Sequence, residues 1–441
     1  MRWIALLSLV LSIRLVALSG QATIINDGVD YLRMAELMAD GEWREALGVG
    51  YHPGYPFLIF ALGAFLPYAA AAHAIAVAAA LAALPILWML FRDASNERTA
   101  WWGVVIYAVH PTLVRMQVEI LSTSLFVFLF AAFTLLLVRA LETPTLRRGL
   151  LLAGCLALLY LVRPEGILAT AAAVMTFAIQ GIKQVRRGER DRARSLVVGF
   201  LPCLALALVG GAVVMATGAI KSSARAIWVV LAGGGAETGG LEAGSMLYEA
   251  LESMTPFVWL LAVLGTPALR KNPAAHAAVA IGVGFFSVMS LGLGLVGYTG
   301  RHYYLPAAAL LLLPAAAAVA EIHRRLPRLP ANVLAAVLIL AFALPTQREL
   351  REARLPYRWA GEWILSTQGP GSVVFAEKPQ AAYYARGTFR RLPASVNELL
   401  SRPGQLVVAE AGDLGAGMLE RKGLVALRAF PGGVVVYRIT K

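Results

Sequence analysis

The stretch from Ala69 to Phe91, AAAAHAIAVAAALAALPILWMLF, contains no Asp, Glu, Lys or Arg. A helix needs about 20 consecutive apolar residues to cross the hydrocarbon core of a bilayer. This run offers no polar face to water, so it reads as a crossing. Comparable runs occupy residues 3–25, 100–116, 121–140, 148–162, 166–183, 195–217, 254–269, 274–297, 303–320 and 330–346. The sequence therefore predicts about eleven crossings. Composition agrees: 59% of the 441 residues are hydrophobic without counting Gly, and 15% are charged. Soluble domains carry roughly 45–50% apolar residues even with Gly included, and about 25% charged. One water-soluble core could not hide that much apolar surface. The predicted class is an all-α polytopic membrane protein with a small C-terminal α/β domain.

The same numbers exclude other classes. A disordered chain would be far more polar. The only cysteines, Cys155 and Cys203, lie inside apolar runs, so neither a disulfide scaffold nor a cysteine metal site is expected. The net charge of +13 resides in loops, with no basic domain interleaved with aromatics, so no nucleic-acid partner is expected.

Cytoplasmic loops collect Lys and Arg. Arg2, Arg92/Arg98, Arg139/Arg147/Arg148, the Lys183–Arg194 cluster, Arg270/Lys271 and Arg324/Arg325/Arg328 form one set of turns, while the alternate turns are acidic. The basic set is assigned to the cytoplasm of an inner (plasma) membrane protein. The N-terminus is then inside and the C-terminus outside. Residues 54–67 are apolar, but a crossing there would put Arg92 and Arg98 on the side of the acidic 26–45 loop. They read as an interfacial or re-entrant helix bounded by Pro53, Pro56 and Pro67. Ser19-Gly20-Gln21-Ala22 has the look of a signal cleavage site, but Arg14 interrupts the preceding apolar run, so the segment reads as a retained first helix. Arg14 is expected to reach a polar cavity or pair with an acid inside the bundle.

Composition shifts near residue 347. Residues 1–346 form the membrane domain and 347–441 a small domain outside it. In the latter, 350–367 reads as an amphipathic helix, and Val373–Ala376, Leu406–Ala409 and Val434–Ile439 as strands, with a helical stretch between the first two.

Chemistry-bearing residues gather in the outer turns. Asn26-Asp27-Gly28-Val29-Asp30-Tyr31 follows the first crossing. A carboxylate beside a low-dielectric surface can act as a base, and Asp27 or Asp30 could equally be the N-cap of a following helix. His52, in Tyr51-His52-Pro53-Gly54-Tyr55-Pro56, suits either an interfacial turn or a catalyst. Glu119 lies where the third crossing emerges, with function and an i, i+4 pair with Arg115 both open. Arg163-Pro164-Glu165-Gly166 and Arg301-His302-Tyr303-Tyr304 put cations at the outer boundary. Arg can hold two phosphate oxygens at once, or it can snorkel or pair with Glu165.

Asp27-Gly28-x-x-Tyr31-x-x-x-Ala35, Gly41-Glu42-Trp43 and His52-Pro53-x-x-Pro56, with Glu119, Leu161–Gly166 and Arg301-His302-Tyr303 in that order, resemble the GT-C glycosyltransferases, in particular their bacterial protein mannosyltransferase-like and aminoarabinose-transferase-like branch. The resemblance covers roughly residues 1–346. It implies an integral membrane glycosyltransferase that takes a sugar from a polyprenyl-phosphate-linked donor. The acceptor would be a lipid, glycan or protein on the outer face, and the anomeric carbon would be inverted. Asp27 matches the family's catalytic carboxylate, with Asp30 next and Glu119 at the second acidic position. The residues after Glu119 depart from the family's commoner pattern, in which another acid follows. Arg163, Arg301 and His302 would bind the donor phosphate, and Tyr31, His52 and Glu165 the substrates. These cations suffice without a metal, and a divalent cation on Asp27, Asp30 and Glu119 is the secondary reading. The competing class is a lipid-phosphate-binding protein or transporter without transferase chemistry.

Overall fold

The computed structural model describes residues 2–217, 251–296, 300–326, 328, 330–346, 354–393, 396–410 and 423–440. The chain divides into two compact units, Met1–Ala17 with Met34–Gln347, and Leu18–Arg33 with Arg348–Lys441.

The first unit is helical. Its elements are α1 (Arg2–Ser19), the end of α2 (Asn26–Ala39), α3 (Trp43–Gly48), α4 (Gly54–Gly63), α5 (Tyr68–Ala94), α6 (Glu97–Val109), α7 (Pro111–Val118), α8 (Thr123–Glu142) and α9 (Leu146–Val162). They continue with α10 (Gly166–Arg186), α11 (Arg190–Thr217), α12 (Pro256–Gly265), α13 (Pro273–Val296), α14 (Leu305–Arg325) and α15 (Ala331–Thr346). Among the described residues, six helices are long and apolar enough to cross a membrane: Tyr68–Ala94, Thr123–Glu142, Gly166–Arg186, Arg190–Val209, Pro273–Leu291 and Leu305–Arg325. Four further apolar helices are shorter. α14 is hydrophobic all round and is buried from Leu305 to Ala320, as expected for a helix enclosed by others. It packs on α6, α8, α12 and α13. At Gly265 the backbone of α12 comes so close to the Pro314 carbonyl of α14 that a Cβ would collide with it.

The third expected crossing, 100–116, is broken into α6 and α7. Pro111 has no N–H to donate and drives the preceding residue out of the helical region, and His110 sits at φ −60°, ψ 118°. The imidazole repairs the break. Its Nδ1 accepts the Leu113 N–H at 3.4 Å, and its Nε2 donates to the Met254 carbonyl at 2.9 Å. Residues 54–67 contain α4, ten residues long and too short to cross, with Pro53 at its N-cap and Pro67 capping α5.

Arg14, fully buried in α1, pairs with no acid among the described residues. It donates to the Ala108 carbonyl (3.1 Å) and to Gln117 Oε1 (2.5 Å), beside the Tyr107 ring. Gln117 in turn donates to the Tyr107 hydroxyl at 2.6 Å. Of the two surroundings expected from sequence, a polar pocket or an acid partner, the described residues supply neutral amide and carbonyl acceptors.

One end of this unit is basic. Asp93 bridges Arg92 and Arg139, each at 2.9 Å. Arg148 donates to the Arg139 carbonyl, tying the start of α9 to the end of α8. The other end is where α8 begins, α9 ends, and α10 and α14 begin.

The second unit is built on a five-stranded mixed sheet, ordered β2-β1-β3-β5-β4: β1 (Val373–Ala376), β2 (Thr388–Arg391), β3 (Leu406–Glu410), β4 (Leu424–Ala429) and β5 (Val434–Ile439). β1 pairs in parallel with β2 and β3, and β5 runs antiparallel to β3 and β4. α16 (Leu355–Gln368) and α17 (Gln380–Tyr384) cover one face through Tyr357, Ala360, Ile364, Ala381 and Ala382, against Val374, Leu406, Val408, Val434 and Val436. α18 (Val396–Leu400) covers the other through Leu399, against Phe375, Val407 and Tyr437. Both faces being covered explains the unbroken apolar runs of β1 and β3. Residues 347–353, the approach to α16, lie outside the described residues.

Candidate functional site

The candidate residues fall into both units. In the second, Asp27 and Asp30 lie on α2, three residues apart and so on one face. Neither is the helix N-cap. α2 begins at Asn26, and the Val29 N–H bonds to the Ile25 carbonyl. Asp27 is instead inside the first turn, where free N–H groups and the helix dipole favour a carboxylate. Both aspartates are half-buried, and Tyr31, one turn on from Asp27, is buried.

The segment leading into α2 is held by α16 and α17. Arg354 Nη1 and Gln380 Nε2 both donate to Asn26 Oδ1, at 2.8 and 2.7 Å. Nothing in the sequence pairs residues this far apart in the chain, and no motif could have revealed it.

In the first unit, the remaining candidates gather at the end opposite the basic turns. The Arg163 guanidinium grips Glu165 with two bonds of 3.1 Å, donates to Thr123 Oγ1 at 3.2 Å, and lies 4.8 Å from the Tyr303 ring centroid. Both Arg163 and Glu165 are buried. This realises the Glu165 pairing that the sequence left open, with planar bidentate geometry that a lysine could not reproduce. His302, also buried, lies beside Tyr303 with ring centroids 4.2 Å apart and the rings tilted by 36°, so Arg163, Glu165 and His302 form one cluster through a tyrosine. Arg301 pairs with Glu252 at 2.5 Å, a residue the sequence reading passed over.

His52 lies on the end of α9, with Nδ1 2.6 Å from the Tyr160 carbonyl. A carbonyl only accepts, so Nδ1 carries the proton and in the neutral ring Nε2 is the acceptor. Gly54 makes the approach feasible, since a Cβ there would stand 2.7 Å from the Leu161 carbonyl oxygen. Glu119, 1% exposed, occupies the extended break between α7 and α8, with φ −71° and ψ 152°. Among the described residues no group of three or more His, Cys, Asp or Glu could hold a metal ion.

No family model matches the chain, and no curated protein matches it by sequence. Solved structures do. ArnT from Cupriavidus metallidurans, bound to undecaprenyl phosphate, superposes with a TM-score of 0.69 at 11% identity, over 98% of this chain and 97% of that one. The oligosaccharyltransferase of Archaeoglobus fulgidus in its apo form gives a TM-score of 0.58 at 12% identity, over 99% of this chain and 74% of that one. Both are GT-C superfamily membrane glycosyltransferases. This chain has the GT-C fold. The GT-C likeness extends through the C-terminal sheet, beyond the roughly 346 residues whose motifs carried the resemblance. Within its GT-C helical unit, the Arg163 cluster, the His52 turn and the Glu119 break all belong to segments linking helices, where loop-borne chemistry is expected on a rigid scaffold.

Proposed function

We propose that this protein is an integral membrane glycosyltransferase that transfers a sugar from a polyprenyl-phosphate-linked donor to an acceptor on the outer face of the inner membrane. The observation that carries this reading is the shared fold over nearly the whole length of ArnT, whose structure holds undecaprenyl phosphate. Asp27 is the general base. It takes the acceptor hydroxyl proton as that oxygen attacks the anomeric carbon from the side opposite the phosphate, which inverts the centre. The bond from the anomeric carbon to the phosphate oxygen breaks, and polyprenyl phosphate leaves with the electron pair. Its growing negative charge is met by fixed cations. Arg301 and His302 serve here, with Arg163, steadied by Glu165 and Thr123, as the third cation. Tyr31 and His52 contact the substrates, and Glu119 is the second acid.

Asp27→Asn keeps the shape and removes the base. Turnover of a polyprenyl-phosphate sugar by the purified protein is expected to fall about 10²–10⁴-fold, with insertion and folding retained. Near-normal turnover would transfer the role to Asp30, tested in the same way by Asp30→Asn, and near-normal turnover in both variants would remove the general-base reading. For orientation, a reporter active only outside the cytoplasm is expected to be active when fused after Lys441 and silent when fused near Arg190. The reverse pattern would put every proposed site residue on the wrong face.

A further inference from the structure

Residues 22–26, which follow α1 and end on the first residue of α2, find partners for their polar groups in the C-terminal part of the same compact unit. The Ala22 carbonyl accepts from Arg358 Nη1 at 2.8 Å. The Ile24 N–H donates to the Tyr384 hydroxyl at 3.2 Å, and the Thr23 hydroxyl donates to the same oxygen at 3.3 Å. The Ile24 carbonyl accepts from Gln380 Nε2 at 2.9 Å, and the same nitrogen donates to Asn26 Oδ1 at 2.7 Å. Arg354 supplies the second donor to Asn26. Arg358 is itself steadied by Glu362 at 2.8 Å and lies over the Tyr384 ring.

Gln380 is the centre of this socket. It is the first residue of α17 and is fully buried. Both of its acceptors are oxygens, which fixes the orientation of the amide, with the NH₂ toward residues 24 and 26. Its own Oε1 then has no hydrogen-bond partner among the described residues. A buried acceptor without a partner is costly, and an apolar side chain of the same size would avoid that cost. The amide is accounted for by the two bonds it donates. Those bonds stand immediately before Asp27, at the point where the direction and register of α2 are set.

We propose that Gln380 is a positioning residue for the transferase reaction. By holding the Ile24 carbonyl and the Asn26 side chain it fixes the start of α2, and with it the placement of the carboxylates of Asp27 and Asp30. The C-terminal sheet unit is thus the mount of the catalytic helix. This rests on the reading of an α2 aspartate as the base.

The test uses full-length protein in detergent with a polyprenyl-phosphate sugar donor. Gln380→Leu keeps the volume and removes both donors. Misplacing a catalytic group by about 1 Å costs on the order of 10²-fold, so kcat is expected to fall roughly 10- to 100-fold, with donor KM within about twofold of the parent. Asn26→Ala removes the acceptor from the other side and is expected to lower kcat in the same way. The double variant should be no worse than the poorer single one, because both break one link. If Gln380→Leu does not fold, Asn26→Ala and Tyr384→Phe carry the test with the same expected split. Unchanged kcat with a lowered melting temperature, or kcat and KM changing in proportion to lost folded protein, would overturn the proposal and leave Gln380 as a structural residue. Asp27→Asn measured alongside separates the two claims. An inactive Asp27→Asn with normal kcat in Gln380→Leu sinks the positioning role alone. An active Asp27→Asn with lowered kcat in Gln380→Leu sinks Asp27 as the base and keeps the positioning role, with Asp30 as the group placed.

Discussion

The Arg301 guanidinium lies 2.5 Å from the Glu252 carboxylate, in a pair whose side chains are 30% and 35% exposed. The helical residues 251–254 that carry Glu252 are anchored, because the Glu252 carbonyl accepts from Thr112 Oγ1 at 3.0 Å and the Met254 carbonyl accepts from His110. A pair this exposed contributes only about 0–1 kcal/mol to stability, so its main effect is to orient Arg301. Arg301→Ala is expected to lower kcat/KM for the donor about 10- to 100-fold, the equivalent of one charge-assisted bond. Arg301→Lys should fall between parent and Ala, having the charge without the fork. Steady-state kinetics with varied donor, beside a melting curve for each variant, checks this. A lowered melting temperature with unchanged donor kinetics would assign Arg301 to structure only.

Arg14 and Gln117 give a stability prediction free of catalysis. Gln117→Leu strips the buried guanidinium of its shortest acceptor contact and is expected to cost about 1.5–3 kcal/mol. Arg14→Met removes the buried charge itself and should be milder, since apolar replacement of a buried ionic group is often neutral. Thermal unfolding in detergent should rank Gln117→Leu below Arg14→Met. The opposite ranking would mean that the charge, and not its solvation by neutral acceptors, is what the bundle needs.

At Gly54 the backbone of the His52 turn touches the end of α9. Gly54→Ala must push that turn away, at about 1–3 kcal/mol, and lengthen the bond from His52 to the Tyr160 carbonyl. Both the melting temperature and the turnover are expected to fall. Turnover unchanged in a destabilised variant would remove His52 from the site.

Glu410 gives a pH prediction for the C-terminal unit. Hydrogen bonds from Lys378, at 2.9 Å, and from the Tyr357 hydroxyl, at 3.0 Å, hold its carboxyl below the usual glutamate range. A depressed pKa in the folded state stabilises the fold above the unfolded value, about 4.3. That contribution is lost as pH falls through the folded value. Melting temperature in the parent should therefore drop more steeply below about pH 4.3 than in Glu410→Gln. Parallel curves for the two proteins would show that the bonds to Glu410 do not couple to folding.

Much of the fold was legible in the sequence because hydrophobic run length and strand patterning are local signals. β1 and β5 match their expected spans residue for residue, and β3 extends by Glu410 alone. The edge strands β2 and β4 went unseen because their residues are mostly exposed or half-exposed, and TFRR has no apolar alternation. The break at His110-Pro111 was written in the Pro but masked by the apolar residues around it. Arg163 and Glu119 lie between helices, as their sequence context indicated. The partners that decide what those residues can do come from distant parts of the chain. Glu252 for Arg301, Thr123 and Tyr303 for Arg163, and Gln380 and Arg354 for Asn26 carry no spacing signal. A cap was one of two open readings for Asp27 and Asp30, since Asp is common there, yet the first helical bond of α2 runs from the Val29 N–H to the Ile25 carbonyl, which puts both aspartates inside the helix.

The most direct test is the release of polyprenyl phosphate from a polyprenyl-phosphate-linked sugar by the purified full-length protein, compared with Asp27→Asn. The account predicts acceptor-dependent release of free polyprenyl phosphate by the parent, with an inverted anomeric centre in the product and a rate lower by about 10²–10⁴-fold in the variant. Stable binding of the lipid phosphate by folded protein, with no release of sugar from any such donor, would contradict it and make the chain a carrier-lipid-binding protein on a glycosyltransferase fold.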